Sequence, residues 1–333
     1  MRLDIDDFEI VKKKYNNLND TFKEKLIFHV GTGAGFYSEI GSMLECMLYC
    51  YYNKIRFELY ADDANFSDNR GWEEFFEPFC TLNHDNLNKV ANYRFKNYYR
   101  WKKFILPKLL FRRVVFPYIL KKRNNAKLLT QDVFSKFVSK DFKGVEIDWP
   151  ELGIHGKVRD IYAHLNKLAL RYNDRTWKEI SKLILNLNLP KEYVSIQIRG
   201  GDKIKEFTEL IDVEYCINMI DKWGLKIKNL FVFTDDYRNI IKLQKLRPEW
   251  NIYTLTRKEE RGYYNSEFNN SDWEYKRSNL IKLFAMVEIC INSNLHLGCS
   301  EACVNGYIRS AKKPEQYKEF TKGERKRDSL LKR

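Results

Sequence analysis

Short apolar runs alternate with amphipathic stretches along the second half of the chain. The runs are typical of buried strands and lie at 193–198, 229–234, 251–256 and 290–293. Each run precedes a polar turn and then a stretch whose apolar residues recur at helical spacing. The predicted helices lie at 212–223, 237–246, 278–289 and 302–311. Strands that alternate with helices in this way predict a parallel sheet with helices on both faces.

The first half of the chain has a mixed pattern and one distinct segment. An apolar stretch at 25–30 leads into a glycine-rich turn at 31–39, and residues 157–187 have apolar side chains near helical spacing, which predicts long helices. The segment 99–125 combines many apolar and aromatic residues with nine basic and no acidic ones. Its two prolines, Pro107 and Pro117, exclude one continuous helix.

The length of the chain and the change of pattern suggest two domains. With 333 residues, each domain is large enough to bury a core of its own. We predict an α/β protein with an N-terminal domain at 1–188, which contains the insertion 99–125, and a C-terminal domain at 189–311. A basic tail follows at 312–333.

Composition and charge narrow the classes of partner. The chain is 44% hydrophobic and 31% charged, which excludes wholesale disorder and fibrous repeats. It has no apolar run of about 18 residues, and its first residues are too charged for a signal peptide, so a cytoplasmic protein is expected. The seven cysteines predict buried, reduced thiols rather than a disulfide scaffold or a zinc site. The net charge of +14 favours anionic partners: nucleotide, nucleic acid or an acidic membrane surface.

Polar loops follow three of the predicted strands, at the sheet edge where ligands bind in such folds. The loop 199–206 reads RGGDKIKE, where Gly200 and Gly201 permit a sharp turn and Arg199 and Lys203 suit a diphosphate. Carboxylates in the same stretch are Asp202, Glu206 and Glu209. The TDD sequence at 234–236 fits either a helix cap or a carboxylate pair that binds a guanine, a ribose or Mg²⁺.

The glycine turn and the histidines give weaker signals. GTGAGFYSE at 31–39 lacks the G-x-G-x-x-G spacing and the Walker lysine, so an NAD site is not expected. A turn whose backbone amides reach a phosphate or a sugar still fits. His29 precedes this turn and could face a cleft, whereas His164 fits a structural role. No hydrolase arrangement of Ser, His and Asp is present in the sequence.

Several short motifs together resemble the α1,6-fucosyltransferases, which include core and rhizobial chitooligosaccharide enzymes. VSIQIRGGDKIKE is similar to their His-x-Arg-Arg-Thr-Asp-Lys motif, and VFTDD is similar to an Ala-Thr-Asp-Asp strand end. GWEEFFEP at 71–78 and GCSEAC at 298–303 resemble two further segments, and all occur in the family's order. Gln197, Gly200 and Gly201 depart from the motif, standing where the family has His, Arg and Thr. These departures leave the identity of the donor sugar open.

The resemblance implies a GT-B fold, with two Rossmann-like domains that face a central cleft, the first on the acceptor side and the second binding the nucleotide sugar. It implies transfer of fucose from GDP-fucose to a glycan hydroxyl with inversion, without a metal or another cofactor. Arg199 and Lys203 would neutralise the leaving diphosphate, and Glu206 would be the general base with Glu209 in reserve. The implied donor-binding residues are Gly31, Gly33, Gly35, Arg199, Asp202, Lys203, Asp235, Asp236 and Ser300.

Three alternatives stay open at this point. The same fold could use another GDP-sugar, mannose-like or a heptose, on a lipid-linked or lipopolysaccharide acceptor. The chain could instead be a catalytically inactive glycan-binding relative, or a basic protein that binds nucleic acid. The segment 99–125 fits either a hydrophobic core with basic side chains at its rim or a surface that docks on the inner face of an anionic membrane.

Overall fold

The computed structural model describes residues 5–31, 33–93, 111–202, 211–299 and 302–321. The chain forms two compact units, Arg2–Asn173 and Asp174–Arg333. The division therefore lies before the helix Asp174–Asn186, not after it at 188 as the sequence suggested. This helix packs against the helix Trp273–Asn292 of the second unit, where its Glu179 forms an ion pair with Arg277.

The first unit contains a three-stranded parallel sheet. Strands β1 (Glu24–His29), β2 (Ile55–Tyr60) and β3 (Leu128–Leu129) pair in the order β2-β1-β3. A separate antiparallel pair joins β4 (Glu146–Trp149) to β5 (Ile154–Lys157), an element that the sequence analysis did not predict. The described helices are α1 (Ile5–Asn19), α2 (Phe36–Tyr52), α3 (Asn88–Ala91), α4 (Phe116–Arg123), α5 (Thr130–Phe137), α6 (Lys140–Lys143), α7 (Val158–Ile161) and α8 (Asn166–Ala169). Shorter turns are 3-10 at Gly71–Glu74, Pro150–Leu152 and Tyr162–Leu165, and π-helical at Phe111–Val115.

The second unit contains a five-stranded parallel sheet. Its strands β6 (Val194–Ile198), β7 (Asn229–Thr234), β8 (Asn251–Tyr253), β9 (Leu295–Cys299) and β10 (Tyr317–Phe320) lie in the order β10-β9-β6-β7-β8. All four pairings are parallel. The helices are α9 (Asp174–Asn186), α10 (Val213–Lys222), α11 (Tyr237–Leu246), α12 (Asn265–Asn270), α13 (Trp273–Asn292) and α14 (Val304–Ala311), with a 3-10 turn at Pro314–Gln316. The predicted α/β class is thus confirmed in both units.

Central strands of the second unit are apolar because they are covered on both faces. Ile196, Leu230 and Leu297 come from three neighbouring strands and are fully buried in one cluster with residues of α10 and α11. Such continuous burial explains why these strands appear in the sequence as apolar runs rather than as alternating patterns. Because β6 pairs in parallel with both β7 and β9, the carboxyl ends of these three strands meet at one edge of the sheet.

Three predicted elements differ from the structure. The strand predicted at 290–293 is the end of α13, and the strand β9 begins later, at Leu295. The end of α13 is buried on several sides, so its apolar run lacks the one-sided pattern that would mark a helix.

The helices predicted at 157–187 are interrupted. Residues 158–169 form short helical pieces, and the long helix α9 begins only at Asp174. At the start of α8 the Asn166 side chain donates a hydrogen bond to the Ala163 carbonyl at 2.7 Å, which competes with regular helical bonding.

The predicted basic tail is in part a strand. Residues 317–320 form β10, which pairs with β9, and Phe320 is fully buried in the core of the second unit. One apolar side chain among charged neighbours is a weak sequence signal for a strand, yet the burial of Phe320 in the core stabilises β10 in the sheet. Within the described residues, no helix is long and apolar enough to cross a membrane.

Candidate functional site

Arg199 follows β6 and lies among acidic and aromatic side chains of the second unit. Its side chain is 17% exposed, with Nη2 3.6 Å from Asp202 Oδ1 and Nη1 3.4 Å from Asp235 Oδ2. The guanidinium carbon lies 5.7 Å from the centre of the Tyr263 ring. The predicted grouping of Arg199, Asp202 and Asp235 at one sheet edge is therefore what the structure contains.

Gly201 makes the close approach of two loops possible. Its φ is +57°, and a Cβ atom built on it would lie 2.2 Å from the Tyr263 carbonyl oxygen. Both facts require glycine at this position. At Gly200 a Cβ atom would lie 3.6 Å from the nearest heavy atom, an oxygen of Asp235, so a methyl group would fit there in ordinary van der Waals contact.

The Asp235 carboxylate links the two loops. Oδ1 accepts a hydrogen bond from the Gly200 amide and Oδ2 accepts one from the Tyr263 amide, each at 2.9 Å. The Asp202 amide donates to the Tyr263 carbonyl at 3.0 Å, which adds a third bond between the same loops. Asp235 is therefore a cross-link that holds the Arg199 loop in place.

The loop 261–265 is part of the site and was missed by the sequence analysis. Gly262 has φ +114°, and a Cβ atom on it would lie 2.7 Å from Gly201 Cα. The Asn265 amide donates to Asp202 Oδ2 at 3.3 Å. The sequence offered one signal for this loop, a glycine in the polar stretch after β8. The residue on which that glycine packs, Gly201, lies far away in the sequence.

Asp236 has the capping role that the sequence analysis weighed against donor binding. It is the N-cap of α11, where its side chain accepts a hydrogen bond from the Arg238 amide, and it also binds the Arg238 guanidinium. Burial opposes ionisation of this carboxyl, but the bonds from Arg238 hold its pKa below the usual range. A donor contact of Asp236 stays a prediction.

Lys282 on α13 is a further cation near these loops, and the sequence analysis did not single it out. Its side chain is 13% exposed, and its ammonium group forms an ion pair with Glu260. Burial lowers the pKa of Lys282. The ion pair with Glu260 and the negative charge of Asp235 act in the opposite direction and raise it. Lys282 therefore interacts electrostatically with Asp235 as well as with Glu260.

Two buried polar atoms of this region accept no hydrogen bond from the part of the chain that the structure describes. They are Asp202 Oδ1 and Gln197 Oε1. Gln197 is only 1% exposed and lies on β6, two residues before Arg199. Buried acceptors normally find donors, so these oxygens are suited to hydroxyl or amide donors of a ligand or of water.

Four candidate residues lie outside the described residues. They are the predicted catalytic Lys203 and Glu206, the reserve base Glu209 and the donor-side Ser300. Ser300 comes directly after β9 in the sequence, and β9 lies next to β6 in the sheet; the Asn305 side chain donates a hydrogen bond to the Cys299 carbonyl at the end of β9.

His296 on β9 links the sheet interior to α14. Its Nδ1 accepts a hydrogen bond from the Ser195 hydroxyl at 2.8 Å, and its Nε2 donates to the Asn305 side-chain oxygen at 3.1 Å. Burial lowers the pKa of His296 to about 3, although the bond to Asn305 opposes this shift, so the imidazole is neutral. The network is fully enclosed and has a structural role.

The glycine turn of the first unit already contains an anion of its own. The Glu39 carboxylate on α2 accepts hydrogen bonds from the Gly31 amide at 3.2 Å and the Ala34 amide at 3.0 Å. A donor phosphate at this turn would have to displace that carboxylate. Contacts from Gly31, Gly33 and Gly35 to a donor stay a prediction.

His29 is buried at the end of β1 rather than presented to solvent. Its Nδ1 bonds the Asn92 carbonyl, and its Nε2 lies 2.8 Å from Asp63 Oδ1. Burial opposes ionisation of Asp63, but the hydrogen bond and charge of His29 hold its pKa below the usual range. Both ring nitrogens are engaged, so this histidine has no nitrogen left for a substrate proton.

The cysteines and the metal-binding residue types form no site in the described residues. Six of the seven cysteines are buried, as the sequence analysis predicted, whereas Cys303 is exposed, and none of the seven is in a disulfide in the structure. The part of the chain covered by the structure contains no group of three or more His, Cys, Asp or Glu side chains that could hold a metal ion.

Comparison with known proteins gives matches among solved structures only. No family model and no curated protein matches the chain. The NodZ α1,6-fucosyltransferase co-crystallised with GDP is 10% identical, with a TM-score of 0.48 over 86% of this chain and 92% of that one. A NodZ structure from Bradyrhizobium gives the same TM-score at 10% identity and the same coverage of both chains.

Two other fucosyltransferases give similar scores. POFUT1 in complex with GDP-fucose is 11% identical, with a TM-score of 0.46 over 90% of this chain and 98% of that one. A variant of FUT1 from Arabidopsis thaliana in complex with GDP is 8% identical, with a TM-score of 0.46 over 92% and 76% of the two chains. These solved structures are all of fucosyltransferases.

Proposed function

We propose that the chain is an inverting glycosyltransferase that moves fucose from GDP-fucose to a glycan hydroxyl without a metal ion. The observation that carries this proposal is the Arg199 guanidinium at the carboxyl end of β6, held between Asp202 and Asp235 at 3.6 and 3.4 Å. These separations exceed hydrogen-bond length, so the guanidinium can exchange these ion pairs for shorter, charge-assisted bonds to a diphosphate.

The reaction needs positive charge at the leaving group. The bond between the sugar anomeric carbon and the phosphate oxygen breaks, and its electron pair goes to the GDP diphosphate. Arg199, with Lys203, stabilises the charge that develops there. Lys282, near Asp235, adds to the positive potential of the same loops. These cations supply the role that a divalent metal fills in other transferases.

The reaction also needs a base for the acceptor. The acceptor oxygen attacks the anomeric carbon on the face opposite the leaving group, and its proton goes to a carboxylate. Asp202 and Asp235 are both paired with Arg199, and the Asp235 carboxylate also accepts hydrogen bonds from the Gly200 and Tyr263 amides, so these carboxylates are already engaged. Glu206 is therefore the proposed base, with Glu209 as the reserve.

The remaining candidate contacts belong to the donor. Asp202, whose Oδ1 is buried without a described donor, suits a hydroxyl or an amide of the nucleotide sugar. Asp235, Asp236 and Ser300 are proposed around the nucleotide on the basis of the family resemblance. The glycine turn with Gly31, Gly33 and Gly35 is proposed to contact the donor only if Glu39 releases the turn amides.

The class of donor is tested by measuring the thermal unfolding temperature of the chain in the presence of different nucleotides. We expect GDP to raise the unfolding temperature, whereas UDP and NAD do not. At a GDP concentration about 100-fold above its dissociation constant, the added stability is about 2.7 kcal/mol. A chain that GDP does not stabilise, or that UDP stabilises equally, would contradict the proposal.

Another GDP-sugar is the second candidate donor, and one observation favours it. Gly200 stands beside Asp235 at the position where the family motif has the second Arg, so a possible sugar or phosphate contact of that family is missing here. Hydrolysis of GDP-fucose, GDP-mannose and a GDP-heptose, measured side by side, distinguishes these donors. An inactive glycan-binding relative would release GDP from none of them.

A peripheral location at a cytoplasmic membrane surface belongs to the same proposal. It rests on the basic aromatic segment of the first unit and not on the donor site.

A further inference from the structure

The helical residues 111–123 present two different faces. The π-helical turn Phe111–Val115 leads directly into α4, and Pro117 and Leu120 are buried on the inward side. Leu120 is fully buried in a cluster with Ile27 of β1 and Leu129 of β3. One side of the helix is thus part of the core of the first unit.

The outward side is apolar as well. Phe111, Val114, Tyr118 and Ile119 are 51, 57, 65 and 38% exposed. They are four of the ten exposed large hydrophobic residues in the described part of the chain, and they fall within nine consecutive positions. Clustered apolar side chains on a surface mark an interaction site, whereas scattered ones do not.

Basic residues surround this apolar face. Arg112, Arg113, Lys121, Lys122 and Arg123 lie in the same thirteen residues, and no acidic residue does. Lys121 binds Asp132 at 2.7 Å and Arg123 lies 3.4 Å from Asp85, so part of the charge is compensated. Arg113 and Lys122 are exposed beside the apolar side chains.

A groove of about 490 Å³ adjoins the same face. Arg113 and Lys121 line it together with Tyr93 and Tyr118, which provide two cations and two phenol groups. Asp132 also lines the groove, where it is paired with Lys121. Cations and hydroxyl donors around a shallow opening suit the phosphate of a lipid headgroup.

We propose that this face, Phe111 to Lys122, docks the first unit on an anionic membrane surface. Apolar side chains would enter the boundary between headgroups and acyl chains, and Arg113 and Lys122 would pair with lipid phosphates. A nucleic acid would use the cations, but it has no place for aliphatic side chains such as Val114 and Ile119. Docking at a membrane would bring the transferase to a lipid-linked acceptor.

Vesicle flotation with the full chain tests the surface. The probes are vesicles of phosphatidylcholine alone and of phosphatidylcholine mixed with phosphatidylglycerol. We expect flotation with the mixed vesicles only, and a loss on addition of salt, since the basic residues act through screened charges. The variant Tyr118→Glu/Lys122→Glu should lower the partition coefficient about tenfold or more, because it removes an anchor and reverses a charge.

A matched control variant is available in the second unit. Ile241 and Lys245 on α11 are exposed and have the same spacing, so Ile241→Glu/Lys245→Glu makes the same change in charge and polarity elsewhere. This control should float like the parent chain, and both variants should keep the parent unfolding temperature.

Three outcomes would overturn the membrane surface. They are no flotation of the parent with anionic vesicles, an equal loss in both variants, or binding to an oligonucleotide that only the Tyr118→Glu/Lys122→Glu variant loses while vesicles are not bound. None of these outcomes involves the donor site, so stabilisation by GDP is measured independently of them.

Discussion

At the scale of single residues, two neighbouring glycines in one loop have different roles. Gly201 has a left-handed backbone conformation and lies against the Tyr263 carbonyl, whereas Gly200 could carry a methyl group in ordinary contact with its neighbours. The sequence shows only that both positions are glycine. The difference comes from a loop that is about 60 residues away along the chain, so no local pattern contains it.

Exchange of each glycine for alanine should separate these roles. Gly201→Ala is expected to lower the free energy of unfolding by about 1–3 kcal/mol, because it combines a positive φ with a backbone clash. Gly200→Ala is the matched control and should change the stability little. Denaturant unfolding of both variants measures the difference, and equal effects would mean that the 261–265 loop does not pack on Gly201.

Arg199 should be sensitive to replacement by lysine. Lysine keeps the charge but loses the planar fork that can bind two phosphate oxygens, so Arg199→Lys should weaken GDP binding by about ten- to a hundredfold. Calorimetric titration with GDP measures this change. Arg257→Lys, on an exposed arginine that is paired with Glu260, is the control and should bind GDP like the parent. Similar affinities for all three chains would remove Arg199 from the donor site.

At the scale of elements, strand ends are easier to predict than the loops that pack on them. The positions of Arg199 and Asp235 follow from the alternation of strands and helices, because the carboxyl ends of neighbouring parallel strands meet at one edge. The predicted boundary between α13 and β9 was wrong, because a helix buried on several sides does not show the one-sided hydrophobic periodicity that marks a helix. The inclusion of β10 in the sheet depends on the burial of Phe320, a tertiary contact.

The buried His296 network should make folding of the second unit sensitive to acid. The folded pKa of about 3 lies below the value of about 6.5 in the unfolded chain, so only the unfolded state takes up a proton between these values. Stability is therefore full above about pH 6.5 and falls as the pH is lowered toward 3. At pH 5 the loss is about 2 kcal/mol.

The variant His296→Gln tests this dependence. We expect it to be less stable at neutral pH, because it disturbs the bonds to Ser195 and Asn305, but to lose less additional stability between pH 7 and 5. His155→Gln, at an exposed histidine of β5, is the control and should keep the pH profile of the parent. Denaturant unfolding at several pH values gives the slopes, and identical slopes in all three chains would show that His296 does not set them.

At the scale of the whole molecule, the candidate donor contacts are divided between the two units. Arg199, Asp202 and Asp235 belong to the second unit, whereas Gly31, Gly33 and Gly35 belong to the first. The motifs suggested both sets because a glycine turn after a strand resembles a phosphate site. They could not show that Glu39 already accepts from the Gly31 and Ala34 amides, since that bond depends on how α2 leaves the turn.

Hydrogen exchange of the full chain, with and without GDP, determines which unit binds the nucleotide. Protection should increase at 199–202 and 261–265, because the amides of these linked loops open less often when Arg199 is bound to a diphosphate. The Gly31 and Ala34 amides should exchange alike in both conditions, since Glu39 holds them with or without GDP. The variant Glu39→Gln is the informative contrast, because it removes the negative charge to which the turn amides are bonded. GDP protection at 31–34 in the parent would mean that the nucleotide displaces Glu39, and protection there without protection at 199–202 would place the nucleotide in the first unit instead.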